Sequence, residues 1–209
     1  MDRTHGGDKA GFYLEYGREP LDFSANVSPL GLPEGVRQAV IDGLADCAAY
    51  PDPQCRALRR ALAASLGVSE GFILCGNGAS DLIYRLAAAL RPRRALVTAP
   101  AFTEYAEAVK LWGSEVLRFP LEEQNGFLLT DGFLEWITPG TDLVLLGQPN
   151  NPTGRTVPLP LLEEIFRQCQ RVGAFLAVDE CFLEFLDQPE GFTLLPRLME
   201  GNLLILRAF

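Results

Sequence analysis

The sequence predicts an α/β protein of three layers (α/β/α), with a mostly parallel sheet between two layers of helices. From residue 72 onward, short runs rich in Leu, Val and Ile alternate with segments whose apolar residues recur at helical spacing. Most of these runs are continuously apolar, which is typical of strands buried on both faces. Strands that alternate with helices favour a parallel sheet with right-handed crossovers.

The predicted elements follow in chain order. An irregular arm rich in Pro and Gly covers 1–33, and a link with the sequence YPDPQ covers 50–54. Strands are predicted at residues 72–75, 95–98, 115–119, 142–147, 175–180 and 203–207. Helices are predicted at residues 34–45, 55–66, 79–91, 101–113 and 159–173. The last strand has the composition of a central, buried one.

Composition and charge exclude several classes of function. The 209 residues are 48% hydrophobic and 22% charged, as in soluble globular proteins. No apolar run approaches the ~18 residues of a membrane span, and residues 1–20 show no signal peptide. With a net charge of −9 and no basic stripe, the chain is not suited to nucleic acid or anionic membranes. We therefore expect a cytoplasmic protein with neither as a partner.

Cysteine and histidine limit the possible chemistry further. The five cysteines are widely spaced and form no CxxC pair, so we expect reduced structural thiols and no metal site. The single histidine, His5, lies in the N-terminal arm. A Ser-His-Asp or Cys-His mechanism would have to use this residue, which disfavours both.

The motif CGNGASD at 75–81 joins a predicted strand to a predicted helix. Gly78 allows a tight turn, and the N–H groups of Ala79 and Ser80 would then point outward at a helix N-terminus, as in an anion site. The alternative is a plain turn that Ser80 or Asp81 caps. The sequence leaves both interpretations open.

Two further motifs follow predicted strands. Asn150 and Asn151 precede a proline turn in NNPTG, where an asparagine can bind a ligand or form an Asx turn. Asp179 and Glu180 follow four apolar residues, and a carboxylate there needs a cation or donors unless it is a helix cap or a surface ion pair. Because ligands bind at the carboxyl ends of parallel strands, the three motifs are candidates for one site.

The order and spacing of these motifs resemble the large domain of the fold-type-I pyridoxal-phosphate enzymes. Within that group the chain resembles the class I/II aminotransferase superfamily, near the histidinol-phosphate aminotransferases, over essentially all its 209 residues. The resemblance implies pyridoxal 5′-phosphate as the cofactor, a small amino-acid phosphate as the substrate, and a homodimer with a shared active site. It implies an N-terminal arm and small-domain or dimer-contact segment at 1–50, and an incomplete cofactor-binding large domain at 51–209.

The resemblance also implies roles for single residues around the cofactor ring. Asn151 would hydrogen-bond the phenolic oxygen, and Asp179 would pair with the pyridine nitrogen and keep it protonated. Phe102 in APAFTEY would stack on the ring, with Tyr105 as the alternative. Phe102 could also be an ordinary residue of helix-to-core packing.

The same resemblance implies how the cofactor phosphate and the substrate are bound. Gly78, Ala79 and Ser80 would hold the phosphate, and Tyr50 would reach the phosphate in the neighbouring subunit. The stretches THGG and LDFSANVSPLG resemble the arm that closes over the substrate in the threonine-phosphate decarboxylase branch. That match implies substrate-side roles for residues in the arm, namely His5, Gly7 and Asn26.

Phe182 also favours the decarboxylase branch. Many aminotransferases of the superfamily carry a tyrosine at this position, three residues after the aspartate, and phenylalanine cannot donate a hydrogen bond. Three interpretations stay open: a threonine-phosphate decarboxylase of cobalamin biosynthesis, a histidinol-phosphate-type aminotransferase, and a non-catalytic binding module. Decarboxylation and transamination differ in which substrate bond is aligned, which is a matter of positioning.

The resemblance requires a Schiff-base lysine, and the chain contains only Lys9 and Lys110. Neither matches the family position, which follows the strand at 203–207 within a few residues. We therefore expect the catalytic lysine just beyond Phe209, in a full-length parent enzyme. The 209 residues, truncated before the C-terminal part of the fold, are expected to be inactive alone.

Overall fold

The structure, a computed structural model, describes residues 6–28 and 30–208. The chain divides into two compact units, Met1–Cys75 and Gly76–Phe209. The sheet lies in the second unit, whereas the described part of the first unit contains only helices and connecting segments.

The first unit contains three α-helices: α1 (Lys9–Tyr16), α2 (Glu34–Gly43) and α3 (Arg56–Leu66). It also contains two 3₁₀ helices, Leu44–Ala48 and Glu70–Phe72. Helix α1 falls within the arm that we predicted to be irregular. The Asp8 side chain accepts a hydrogen bond of 2.9 Å from the Gly11 N–H, and Gly17 ends the helix in the left-handed conformation, so both ends are capped.

The second unit contains a five-stranded parallel sheet in the order β2-β1-β3-β4-β5. Its elements are α4 (Gly78–Leu90), β1 (Arg94–Ala99), α5 (Thr103–Lys110), β2 (Glu115–Pro120), β3 (Leu143–Gly147), α6 (Leu159–Val172), β4 (Phe175–Asp179) and β5 (Leu203–Leu206). Short 3₁₀ helices lie at Glu123–Asn125, Asp131–Trp136, Leu183–Phe185, Pro189–Phe192 and Leu195–Glu200. The predicted mostly parallel α/β fold is confirmed.

One prediction about a strand is wrong. The segment 72–75 forms no strand, because the 3₁₀ helix runs to Phe72 and no described strand pairs with the extended residues that follow. Strand β5 lies at one edge of the described sheet, and its central place in the sheet of the whole protein stays a prediction. Its middle residues, Leu204 and Ile205, are only half-buried, unlike the fully buried β3.

The two faces of the sheet pack against different helices. Val144 and Leu146 of β3 belong to a core cluster that includes Leu162 and other residues of α6. The alternating residues Leu143 and Leu145 belong to a second cluster, which includes residues of α4 and α5. Each fully buried side chain of this kind stabilises the fold by roughly 1.5–3 kcal/mol. This packing produces the three predicted layers and fixes the carboxyl ends of the strands.

The five cysteines are free thiols, as predicted. Within residues 6–28 and 30–208, no group of three or more His, Cys, Asp or Glu side chains is arranged to hold a metal ion. No helix in the same ranges is long and apolar enough to cross a membrane.

Candidate active site

A pocket of about 260 Å³ lies in the second unit, at the edge where the carboxyl ends of β1, β3 and β4 meet. It is lined by Asn77, Gly78, Ala79, Ser80, Phe102, Tyr105, Pro149, Asn151, Asp179, Cys181, Phe182 and Ala208. The structure thus brings together all six cofactor-site residues that were predicted from this unit. They come from four separate motifs: three lie at the carboxyl ends of β1, β3 and β4, and the fourth begins α4.

The N-terminus of α4 forms one wall of the pocket. Gly78 has a φ of 81° and begins the helix after Asn77, whose side chain makes no capping hydrogen bond. Asp81 accepts a 2.9 Å hydrogen bond from the Asn77 N–H, so the predicted alternative of a capped turn is partly correct. The first N–H groups of a helix have no intrahelical acceptor, so those of Ala79 and Ser80 can bind an anion.

The two asparagines of NNPTG occupy different positions. Asn150 is buried, and its Nδ2 donates to the Pro100 carbonyl oxygen at 3.1 Å and to Thr153 Oγ1 at 2.9 Å. Its own N–H donates to the Arg155 carbonyl oxygen at 2.8 Å, which closes the turn. Asn151 lines the pocket. Asn150 therefore holds the turn together, and Asn151 is the residue available to a ligand.

Asp179 ends β4 and receives hydrogen bonds from two neighbours. The Tyr105 hydroxyl donates to Oδ2 at 2.7 Å, and the Cys181 N–H donates to Oδ1 at 3.0 Å. Burial, and next the charge of Asp179, raise the pKa of Tyr105 well above its usual value. The same two causes, in the same order, raise the pKa of the Cys181 thiol. Both side chains next to Asp179 are therefore neutral at pH 7.

Glu180, the next residue, is buried away from the pocket. Arg207 Nη2 lies 2.8 Å from Glu180 Oε2, and the Thr193 hydroxyl contacts both carboxylate oxygens at 2.9 and 3.0 Å. The Leu194 N–H donates to Oε1 at 3.3 Å. Burial raises the pKa of Glu180, and the Arg207 guanidinium acts in the opposite direction. Glu180 thus meets a buried cation and donors, as the sequence predicted for a carboxylate at this place, and it is not the helix cap or surface ion pair of the alternative.

The aromatic residues of APAFTEY have distinct positions. Phe102 lines the pocket at the start of α5 and packs edge-to-face on Tyr105, with ring centroids 5.6 Å apart. The Tyr105 ring is only 2% exposed, and its hydroxyl is bound to Asp179. Tyr105 is therefore not suited to stack on a ligand, and Phe102 stays the candidate. The contact between Tyr105 and Asp179 was missed, because the sequence shows no sign that α5 turns this hydroxyl toward β4.

The remaining predicted residues belong to the first unit or lie outside the described residues. His5 is outside them, Asn26 is exposed, and Tyr50 is fully exposed. The Gly7 N–H donates to Ser24 Oγ at 2.8 Å, so the two arm stretches that carry THGG and SAN contact each other.

Neither lysine is placed like a Schiff-base residue. Lys9 lies 3.8 Å from Asp22, and Lys110 pairs with Glu107 at 2.6 Å on the surface of α5. Lys110 does not line the pocket. The described residues therefore offer binding groups at this pocket and no amine.

The lining groups define a particular ligand shape. The α4 N-terminus can bind an anion, Phe102 offers an aromatic face, Asn151 offers an amide, and Asp179 offers a carboxylate that no cation neutralises within the described residues. A flat ring with an anionic arm and a basic ring nitrogen fits this set. Pyridoxal phosphate has these features.

The fold and this pocket define a parallel α/β domain with a cofactor-type site at the carboxyl edge of its sheet. The chain belongs to the family described as aminotransferase class I and II, whose sequence model matches residues 18–209. The members of this family are pyridoxal-phosphate-dependent enzymes, and the chain has their fold.

Three similar proteins illustrate the relationship. The chain is 40% identical to the threonine-phosphate decarboxylase of Salmonella typhimurium, over 92% of this chain and 54% of that protein. It is 32% identical to the histidinol-phosphate aminotransferase of Anoxybacillus flavithermus, over 90% of this chain and 51% of that protein. It matches a structure of Thermus thermophilus aspartate aminotransferase with maleate at a TM-score of 0.83 and 25% identity, over 96% of this chain and 55% of that one. The chain thus spans about half the length of these relatives.

Proposed function

We propose that the chain is the cofactor-binding part of a pyridoxal-phosphate-dependent L-threonine O-3-phosphate decarboxylase. The single observation that supports this most strongly is Asp179, a pocket carboxylate whose hydrogen-bond donors within the described residues are neutral. A carboxylate in that state attracts a cationic group from a ligand. The protonated pyridine nitrogen of the cofactor is such a group.

Asp179 would thus hold a proton on the pyridine nitrogen. When bound, pyridoxal phosphate supplies an electron sink that stabilises negative charge on the substrate carbon, and a protonated nitrogen preserves that property. A hydrogen bond between an ionised carboxylate and a protonated nitrogen is roughly twice as strong as a neutral one. Asp179 therefore both orients the ring and keeps it reactive.

The other pocket residues would hold the rest of the cofactor. The N–H groups of Ala79 and Ser80 would bind the phosphate, since a helix N-terminus favours anions. Gly78 would form the turn beside it, because its own N–H donates to the Gly76 carbonyl oxygen at 3.0 Å. Phe102 would pack on the ring face, and Asn151 would donate to the phenolic oxygen. Together they would fix the ring at four points, which leaves the orientation of the substrate to decide the reaction.

The choice of substrate rests on the relatives and on position 182. The identity of 40% to a threonine-phosphate decarboxylase exceeds the 32% to a histidinol-phosphate aminotransferase. Phe182 lines the pocket and has no hydroxyl to donate to the phenolic oxygen. A histidinol-phosphate-type aminotransferase is the second candidate, because those relatives match over as much of the chain.

We also propose a cytoplasmic homodimer in which Tyr50 reaches the phosphate bound by the neighbouring subunit. The complete exposure of Tyr50 supports this role, because its hydroxyl is accessible to another chain. His5, Gly7 and Asn26 are proposed to contact the substrate, with 1–50 as the arm and dimer-contact segment and 51–209 as part of the large domain.

The test is a product assay on the whole protein loaded with pyridoxal phosphate. With carboxyl-labelled L-threonine O-3-phosphate, we expect labelled CO₂ and an amino-alcohol phosphate, with no requirement for a 2-oxo acid. Turnover of histidinol phosphate that depends on a 2-oxo acid would instead support the aminotransferase. A folded protein that binds no cofactor and turns over neither substrate would be a non-catalytic module, and the proposal would be wrong.

A further inference from the structure

We propose that Tyr105 is a positioning residue, whose hydroxyl holds the Asp179 carboxylate toward the pocket without neutralising its charge. This inference rests on the proposed function, in which Asp179 meets the pyridine nitrogen of the cofactor. Tyr105 contacts Asp179 and packs against Phe102, and it would act on the cofactor through these two residues.

The hydrogen bonds leave the carboxylate partly free. Tyr105 donates to Oδ2, the Cys181 N–H donates to Oδ1, and the Cys181 thiol also contacts this carboxylate. An ionised carboxylate has about four acceptor positions, and these three donors leave about one of them available. Two donors on different oxygens fix the plane of the carboxylate, so the free position has a defined direction. Since Asp179 lines the pocket, a ligand nitrogen there can use this position.

The Tyr105 ring itself is rigidly placed. It is 2% exposed in the core cluster between the sheet and helices α4 and α5, and it packs edge-to-face on Phe102 at an interplanar angle of 84°. Burial keeps its hydroxyl protonated, so it stays a donor across the working pH range. One side chain therefore fixes both the carboxylate and the aromatic residue proposed to stack on the ring.

A neutral donor matters here, as the neighbouring Glu180 illustrates. The Arg207 guanidinium, 2.8 Å from Glu180, compensates the charge of that carboxylate. A cation in the place of Tyr105 would do the same to Asp179 and compete with the pyridine nitrogen. A phenol orients the carboxylate and leaves its charge for the ligand.

Tyr105→Phe removes only the hydroxyl, and pyridoxamine 5′-phosphate is the probe. This amine form of the cofactor has the same ring nitrogen and phosphate and forms no Schiff base, so its dissociation constant reports binding without catalysis. We expect the whole protein carrying Tyr105→Phe to bind the probe roughly tenfold more weakly, the value of one hydrogen bond to a charged group. Tyr84→Phe is the matched control, because its hydroxyl bonds to Glu104 and Tyr84 does not line the pocket. We expect its affinity to stay within about twofold of the wild type.

A double-mutant cycle shows whether Tyr105 acts through Asp179. In an Asp179→Asn background, Tyr105→Phe should no longer change affinity, because the charged acceptor is gone. With ¹⁵N-labelled probe, the pyridine nitrogen signal should move toward the unprotonated value in Tyr105→Phe and stay unchanged in Tyr84→Phe. An unchanged signal, or an equal loss of affinity in both backgrounds, would overturn the inference. If Asp179→Asn itself left affinity and the nitrogen signal unchanged, the proposed function would fail instead.

Discussion

Asp179 and Glu180 are adjacent in sequence, yet their side chains lie in opposite surroundings. Asp179 faces the pocket and is held by a phenol and a backbone N–H. Glu180 is 1% exposed and is held by a guanidinium, a hydroxyl and a backbone N–H. Both carboxylates are well supplied with donors, but among residues 6–28 and 30–208 only Glu180 has a cationic partner.

This difference separates a binding role from a structural one. A carboxylate that already has a buried cation contributes to the fold and offers little charge to a ligand. A carboxylate with neutral donors keeps its charge, and the local structure favours a cationic partner from outside. The comparison therefore supports the proposal that Asp179 binds the ligand, and it indicates that Glu180 stabilises the ends of β4 and β5.

The largest expected effect is on turnover. Asp179→Ala in the whole protein should weaken cofactor binding and nearly abolish turnover, because the pyridine nitrogen loses its partner. The free energy of unfolding should fall by about 1–3 kcal/mol, since the buried Tyr105 hydroxyl loses its acceptor. Steady-state kinetics and urea denaturation would measure the two effects. Full activity in this variant would remove the basis for assigning the ligand to Asp179.

Glu180→Gln should show the reverse of this pattern, with a larger effect on the free energy of unfolding than on turnover. It leaves Arg207, whose side chain is only 12% exposed, without its buried counter-charge, which is expected to lower the free energy of unfolding by about 3–5 kcal/mol. The matched control is Glu184→Gln, because Glu184 pairs with the same arginine but is 66% exposed. That control should cost at most about 1 kcal/mol. Equal costs for the two variants, by urea denaturation, would show that burial of the Glu180 pair is unimportant.

A smaller effect is expected from Asn151→Ala. The variant removes one donor to the phenolic oxygen, so the affinity for pyridoxamine phosphate should fall roughly two- to tenfold. The absorption band of bound pyridoxal phosphate should also shift, because that oxygen belongs to the chromophore. An unchanged band and affinity would show that Asn151 does not contact this oxygen, and equilibrium dialysis with absorption spectra would decide the point.

The smallest expected effect is on stability at alkaline pH. The folded-state pKa of Tyr105 is raised above the usual value of 10, so the folded protein keeps a proton that the unfolded chain loses. Stability should therefore fall as the pH rises above 10, with a contribution from Tyr105 of up to about 1.4 kcal/mol per pH unit. Urea denaturation at several alkaline pH values should show a shallower decline for Tyr105→Phe. Identical slopes would contradict the tight contact between Tyr105 and Asp179.

The sheet and the pocket were predictable where local patterns determine them. Continuous apolar runs predicted β1 and β3 within one residue at each end, because strands buried on both faces carry that pattern. The rule that parallel strands end at one edge predicted that Asn151 and Asp179 would meet. Ser80 also lines the pocket, although the strand expected before it does not form.

The features that the sequence did not predict depend on packing between distant segments. The apolar composition of 72–75 suggested a strand, but composition cannot show whether a neighbouring strand exists. Tyr105 is 74 residues from Asp179, and the contact depends on how α5 packs on the sheet. The pairing of Glu180 with Arg207 depends on β4 and β5 being neighbours.

The most direct test of the comparison is a crystal structure of the whole protein with pyridoxamine 5′-phosphate. We expect the pyridine nitrogen to lie within about 2.7–2.9 Å of an Asp179 carboxylate oxygen. Tyr105 should still bind that side chain, and Glu180 should still pair with Arg207. A ring nitrogen that faces another group, or a phosphate bound away from the N-terminus of α4, would contradict this expectation.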